Sequence, residues 1–305
     1  MRREHRANRD IVYSSPCVPP EWIAAHGLRP CRLIPGRATA ESPIPATSGI
    51  CPFLRAFVNE ACHRRNTAGV VLVTVCDQMR RAPDLLAATR QTPFHLFNLP
   101  STWQTPAARR IYRTELERLG AFLVACGGTT PSRAELVHAL TTAERQRDAI
   151  HAAPLGPSDG IPVALLGGPL LAHDREMVRL IAACGGRVVL DGTEQGVRAQ
   201  PARFRPARTQ RDPLGELTRA YFETIPDVFQ RPNTRLYEWL LQHVAVTGVR
   251  GVVLLRQLWC DKWHAEVQRL REALAGVPLL DLDLDGNGVT PRYRTRLQAF
   301  LEGLQ

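Results

Sequence analysis

Three cysteines carry the clearest chemical potential in this chain. Cys51 stands directly before Pro52-Phe53-Leu54-Arg55. Cys76 closes the run Val70-Val71-Leu72-Val73-Thr74-Val75 and opens Asp77-Gln78-Met79-Arg80-Arg81. Cys260 follows Gly251-Val252-Val253-Leu254-Leu255 and precedes Asp261. Each marks a joint where a helix begins, and Pro52 suits a first helical turn because its missing N–H has no partner there. Helix N-termini present unpaired N–H groups and a partial positive charge. Both favour the thiolate, which is the form of cysteine that binds metal. Ligands of open parallel sheets gather beyond the carboxyl ends of the strands, where Cys76 and Cys260 are expected. Backbone N–H groups at such places would also stabilise an anionic iron–sulfur cluster.

The spacing is not that of a zinc ribbon, and no C-x-x-C pair occurs. Two readings therefore stay open on the residues alone: metal-binding thiols that converge on one crevice, or buried thiols that only fill a core. Cys126 and Cys184 each precede Gly-Gly at a helix end and read as packing residues, as do Cys31 and Cys62. Cys17 is placed as an auxiliary ligand at most.

The elements that must position these thiols follow from pattern. Residues 1–12 read as a charged arm. Pro19-Pro20 starts a short helix that Gly27 ends, and Leu28 to Ile34 reads as a strand. Residues 37–50, rich in Pro, Ser, Thr and Ala, form a loop leading to Cys51. A helix to about Cys62, a strand from Gly69 to Val75 and a strand from His95 to Leu99 come next. Thr105-Pro106 opens a long helix with Ile111, Leu116, Leu119, Phe122 and Leu123 expected on its buried face, stopped by Gly127-Gly128. Ser132 and Glu135 form a capping box for the next helix, and His151 to Gly160 is the linker candidate.

Beyond it come strands at 162–166 and 187–190 around a helix at 174–183, then an irregular arginine-rich stretch at 192–213. Two helices from Leu214 and Asn233 follow, then strand 249–255, helix 263–275, strand 277–284 and a last helix from Pro291. Strand–helix alternation on both sides of a linker predicts two α/β domains with parallel sheets, at 13–152 and 160–305.

Composition narrows the class. The chain has 305 residues, 44% hydrophobic and 22% charged, as in ordinary globular proteins. The N-terminus has no apolar core of a secretory signal, and no run approaches the roughly 18 apolar residues of a membrane span. A cytoplasmic protein without membrane partners is expected, and its eight cysteines are read as thiols or metal ligands, not disulfides. The net charge is +10, yet Lys262 is the only lysine. That skew reads as a composition bias, and no basic run is interleaved with aromatics, so nucleic acid is not expected as a partner. An anionic small ligand such as a CoA ester suits the charge.

At these motifs the chain resembles the 2-hydroxyacyl-CoA dehydratase family, which includes the benzoyl-CoA reductase B- and C-type subunits. The resemblance rests on Val18-Pro19-Pro20-Glu21 with Ala24-Ala25-His26-Gly27-Leu28-Arg29-Pro30, on Cys51-Pro52-Phe53-Leu54-Arg55, and on Cys76 to Arg81. It continues through Ile161 to Gly167, Gly185 to Asp191, Gly251 to Asp261 and Thr295 to Glu302. It implies two Rossmann-like, flavodoxin-like doubly wound domains holding a 4Fe–4S cluster between them through Cys51, Cys76 and Cys260. It further implies a dimer with an identical or homologous subunit, an acyl-CoA substrate, and an ATP-hydrolysing activator that delivers one low-potential electron. The reaction would be ketyl-radical dehydration, a lyase activity, or reduction of an acyl-CoA. A non-catalytic electron-relay subunit is the alternative. The chain departs from the family at Ser15, where a cysteine is usual, and at Ala56 after Arg55, where a serine is usual.

The remaining polar residues have plainer readings. Glu21 is the catalytic candidate, a carboxylate that transfers protons at the site or else caps its short helix. Arg55, Arg80 and Arg81 would face a cluster or CoA phosphates, or form solvated helix faces. Asp77 and Asp261 are expected to cap their helices. His63, His173 and His264 are read as structural.

Overall fold

The computed structural model describes residues 9–37, 42, 44, 49–89, 92–150 and 159–305. In chain order the elements are β1 (Asp10–Tyr13), α1 (Pro20–Ala25), β2 (Arg29–Arg32), α2 (Pro52–His63), β3 (Thr67–Val73), α3 (Asp77–Thr89), β4 (Phe94–Phe97), α4 (Pro106–Ala125) and α5 (Arg133–Ile150). Next come β5 (Ile161–Gly167), α6 (Glu176–Ala183), β6 (Gly186–Gly192), α7 (Pro206–Arg211), α8 (Pro213–Leu217), α9 (Thr234–Thr247), β7 (Gly251–Gln257), α10 (Asp261–Ala273), β8 (Leu279–Leu284) and α11 (Pro291–Glu302). The strands form two sheets, ordered β2-β1-β3-β4 and β6-β5-β7-β8, and every pairing is parallel. Both orders reverse at the neighbouring strands β1 and β3, and β5 and β7, which is the doubly wound α/β arrangement that the sequence predicts.

The chain divides into two compact units. The first gathers Met1–Leu33, Val58–His151 and Pro201–Thr224; the second gathers Ile34–Phe57, Ala152–Gln200 and Ile225–Gln305. Segments 34–57 and 201–224 thus group differently from contiguous domains at 13–152 and 160–305. Residues 151–158 of the linker candidate, and 1–8 of the expected arm, lie outside the described residues.

In the first unit the end of the expected arm is structured. Ile11-Val12-Tyr13 belongs to β1, an inner strand that is fully buried. A four-residue strand is too short to show periodicity, and its leading Asp10 hides it further. That carboxylate is buried because Arg29 grips it with two hydrogen bonds, at 2.5 and 2.7 Å, and Arg64 adds an ion pair at 3.5 Å. Along α4 the buried stripe is Ala108, Tyr112, Glu115, Leu116, Leu119 and Leu123. Ile111, expected on that face, is exposed. Tyr112 takes the inward place because its hydroxyl reaches the Cys17 carbonyl at 2.8 Å and its ring stacks on Phe222. Ser132 and Glu135 do exchange the reciprocal bonds of a capping box before α5. Within the arginine-rich stretch at 192–213 a short turn at Val197–Ala199 and α7 are ordered elements, and α8 starts at Pro213, one residue before the helix expected from Leu214.

The second unit shows why its inner strands β5 and β7 read as continuous apolar runs. Val163, Leu165, Val253, Leu255, Leu282 and Leu284 face Met177, Ile181, Tyr293, Leu297 and Leu301 of α6 and α11. Ala164, Leu166, Val252 and Leu254 face Leu236, Leu240, Trp263, Val267 and Leu270 of α9 and α10. An inner strand covered on both faces is apolar at nearly every position. At its carboxyl edge Gly167 has φ +151°, and a Cβ there would stand 1.9 Å from the Leu255 carbonyl oxygen. Only glycine permits this approach of β5 to β7.

Candidate metal centre

Each of the three cysteines immediately precedes a helix. Cys76 caps α3: its Sγ accepts the Met79 N–H at 3.4 Å and its carbonyl accepts the Arg80 N–H at 3.1 Å. The thiol therefore does what a serine or aspartate does at an N-cap. Cys51 precedes Pro52 of α2, and its carbonyl accepts the Arg55 N–H at 3.1 Å. Cys260 is the residue before α10, with its carbonyl bonded to the His264 N–H at 3.0 Å. All three are half-buried, and all eight cysteines are thiols.

Cys76 belongs to the first unit, at the carboxyl edge of its sheet. Cys17 lies on that edge too, following β1, and its N–H donates to the Ser15 hydroxyl at 3.2 Å. Cys51 and Cys260 share the carboxyl edge of the second unit's sheet. The Leu258 N–H bonds to the Leu284 carbonyl at 2.8 Å, joining the Cys260 turn to the end of β8. The next loop then meets Pro52, because a Cβ on Gly286 would come within 2.9 Å of the Pro52 Cβ. Trp259 stands before Cys260 at φ +66° and is half-exposed. With Cys260 N–H bonded to the Gln257 carbonyl at 3.0 Å, Trp259 occupies the turn position that ordinarily calls for glycine.

Among the described residues, no group of three or more His, Cys, Asp or Glu side chains stands close enough to hold a metal ion. The donor chemistry fits a thiolate-bound cluster junction by junction. The shared geometry of three ligands is not part of that fit.

The other candidates fall as follows. Glu21 is buried in the first unit, where Arg147 holds one carboxylate oxygen at 2.6 Å and the Tyr221 hydroxyl donates to the other at 2.7 Å. Burial drives the Tyr221 hydroxyl pKa well above its ordinary value, and the adjacent Glu21 charge adds to this. Arg55 is turned to the Ile44 carbonyl at 2.8 Å. Arg80 pairs with Asp77 at 3.6 Å on an exposed face. Asp77 is itself almost fully exposed and supports α3 by charge, because the cap position it was expected to fill is taken by Cys76. Burial pushes the Cys126 thiol up to about 11, in keeping with packing.

One set was missed in the sequence. At the carboxyl edge of β5 and β7, the buried Asp174 accepts from the Leu171 N–H at 2.9 Å and from Gln257 Nε2 at 2.7 Å. His173 Nε2 lies 3.6 Å from its other oxygen. The partners Asp174 and Gln257 are far apart in sequence, and no spacing rule announces them.

A doubly wound α/β protein with three cysteines at helix starts is the class that these observations define. The chain matches the family model "2-hydroxyglutaryl-CoA dehydratase, D-component" over residues 17–154 and 151–304, and it belongs to that family. It is thereby related to components of 2-hydroxyacyl-CoA dehydratases, which work with partner subunits. No curated protein matches it. Two solved structures align with 97% of this chain and 100% of their own at 8% identity and a TM-score of 0.27. They are a periplasmic metal-binding protein from Candidatus Liberibacter asiaticus and a Mn-bound mutant of it. A likeness that weak carries no argument. No helix among the described residues is long and apolar enough to cross a membrane.

Proposed function

We propose that this chain is the iron–sulfur subunit of a 2-hydroxyacyl-CoA dehydratase or a related acyl-CoA reductase, with Cys51, Cys76 and Cys260 as the ligands of a 4Fe–4S cluster. It works in the cytoplasm beside a second homologous subunit and receives its electron from an ATP-hydrolysing activator. The observation that carries this reading is that all three cysteines of the family's pattern stand at helix N-termini on sheet carboxyl edges. When bound, such a cluster supplies low-potential one-electron chemistry and an iron position free of thiolate.

The chain's own residues would prepare the thiols. The Met79 N–H donates to Cys76 Sγ at 3.4 Å and would hold that sulfur at the start of α3. Beside Cys260, Arg256 stays charged against the cost of burial, because Asp281 and Asp283 flank its guanidinium. Glu21 remains the proton-transfer candidate, with Arg147 and the Tyr221 hydroxyl fixing its two carboxylate oxygens.

A relay subunit without turnover is the second reading, favoured by Ser15. Where the family usually has a cysteine, this side chain instead closes a turn by accepting the Cys17 N–H. The EPR spectrum of the reduced protein with and without 2-hydroxyglutaryl-CoA separates the two. A signal that changes on adding the ester supports substrate access, and an unchanged signal supports the relay.

A further inference from the structure

The carboxyl edge of β5 and β7 holds polar atoms that the proposed cluster does not explain. Gln257 ends β7 and is 2% exposed. Its Nε2 is used on Asp174, but its Oε1 is buried with no hydrogen-bond partner among the described residues. His173 Nε2 is in the same condition, beside the other oxygen of Asp174. A buried acceptor left unpaired costs about 1–3 kcal/mol, so the arrangement is incomplete as it stands. Burial raises the Asp174 carboxyl above its ordinary range, opposing the bonds from Leu171 and Gln257, and Asp285 after β8 adds to the shift.

The place is where doubly wound sheets bind ligands. The Gln257 carbonyl holds the Cys260 N–H, and Leu171 approaches Gly286, which abuts Pro52 next to Cys51. The unpaired atoms thus share one edge with two of the candidate thiols. An acceptor oxygen, a carboxyl and an imidazole nitrogen ask for a small group that both donates and accepts, and a hydroxyl does both.

We propose that Gln257, Asp174 and His173 form a recognition site for the hydroxyl group of a bound 2-hydroxyacyl ester. The proposal rests on the dehydratase reading and names the specificity set for its substrate. A trapped water has the same hydrogen-bonding chemistry as that hydroxyl, and the test separates the two.

Calorimetry on the full chain would compare 2-hydroxyglutaryl-CoA with glutaryl-CoA, which lacks the hydroxyl. The expected result is a preference of at least about tenfold for the hydroxy ester, falling to within about twofold in Gln257→Leu. Equal binding of the two esters by the wild type would overturn the proposal, leaving a water at the site and the acyl-CoA reading intact. A preference that survives Gln257→Leu would also overturn it. Binding of neither ester would overturn the proposal and support the relay reading in its place. Should Gln257→Leu fail to fold, the wild-type comparison decides alone.

Discussion

Cysteine 76 shows how one side chain can serve structure and chemistry together. As the N-cap of α3 it completes a helix end, and the same sulfur is the proposed metal donor. Serine at this position preserves the cap and removes the metal donor. Cys76→Ser should therefore keep its melting temperature as the apo protein while losing bound iron, measured by scanning calorimetry and metal analysis. Cys126 is the contrast. Its thiol is raised to about 11, so it stays protonated where unfolded cysteine ionises. Alkylation of Cys126 by iodoacetamide, followed by peptide mass spectrometry, should be very slow at pH 8 and still be increasing above pH 10. A plateau near pH 9 would contradict its burial.

Glu21 belongs to this scale as well. Replacing it with glutamine removes the charge that Arg147 meets at 2.6 Å, while Glu144 still pairs with Arg147 at 3.1 Å, and the loss should be about 2 kcal/mol in denaturant unfolding. Tyr221→Phe removes one neutral-donor bond and should cost about 1 kcal/mol. The three ligand candidates were visible in the sequence because each sits beside a proline, an aspartate or a β-branched run. Asp174 and Gln257 were not, because their meeting depends on strand order.

At the scale of elements, the edges of the sheets are set by backbone conformations that few residues tolerate. Gly167→Ala would drive a Cβ into the Leu255 carbonyl, so β5 and β7 could not keep their register. A loss of at least about 2 kcal/mol, or insoluble protein, is expected. Trp259 is the opposite case, a large residue at φ +66° with its ring half-exposed. Trp259→Gly should leave the melting temperature unchanged or raise it, whereas Trp259→Val should lower it, because a β-branched residue is poorly tolerated there. Most elements were legible: the inner strands of the second unit as apolar runs, α4 and α5 by their proline, threonine and serine starts. β1 was not, since four residues with a charged leader carry no period. The buried face of α4 was shifted at Ile111 because Tyr112 has a hydrogen-bond partner that helical spacing cannot reveal.

At the scale of the molecule, two units repeat one strand order, each with its candidate thiols beyond the carboxyl ends. Alternation of strands and helices made that architecture readable. The crossing of segments 34–57 and 201–224 to the other unit was not, because tertiary contacts decide it. Segment 201–224 is fixed to the first unit by Glu21 with Tyr221, Tyr112 with Phe222, and Arg109 with Glu223.

The central claim is that Cys51, Cys76 and Cys260 hold an iron–sulfur cluster. Iron and sulfide analysis of the full chain, purified and reconstituted without oxygen, tests it most directly. About four irons and four sulfides per chain are predicted, with loss of the cluster in Cys51→Ser, Cys76→Ser and Cys260→Ser and retention in Cys126→Ala. A colourless protein without iron, or a Cys260→Ser protein that keeps all of it, would contradict the account.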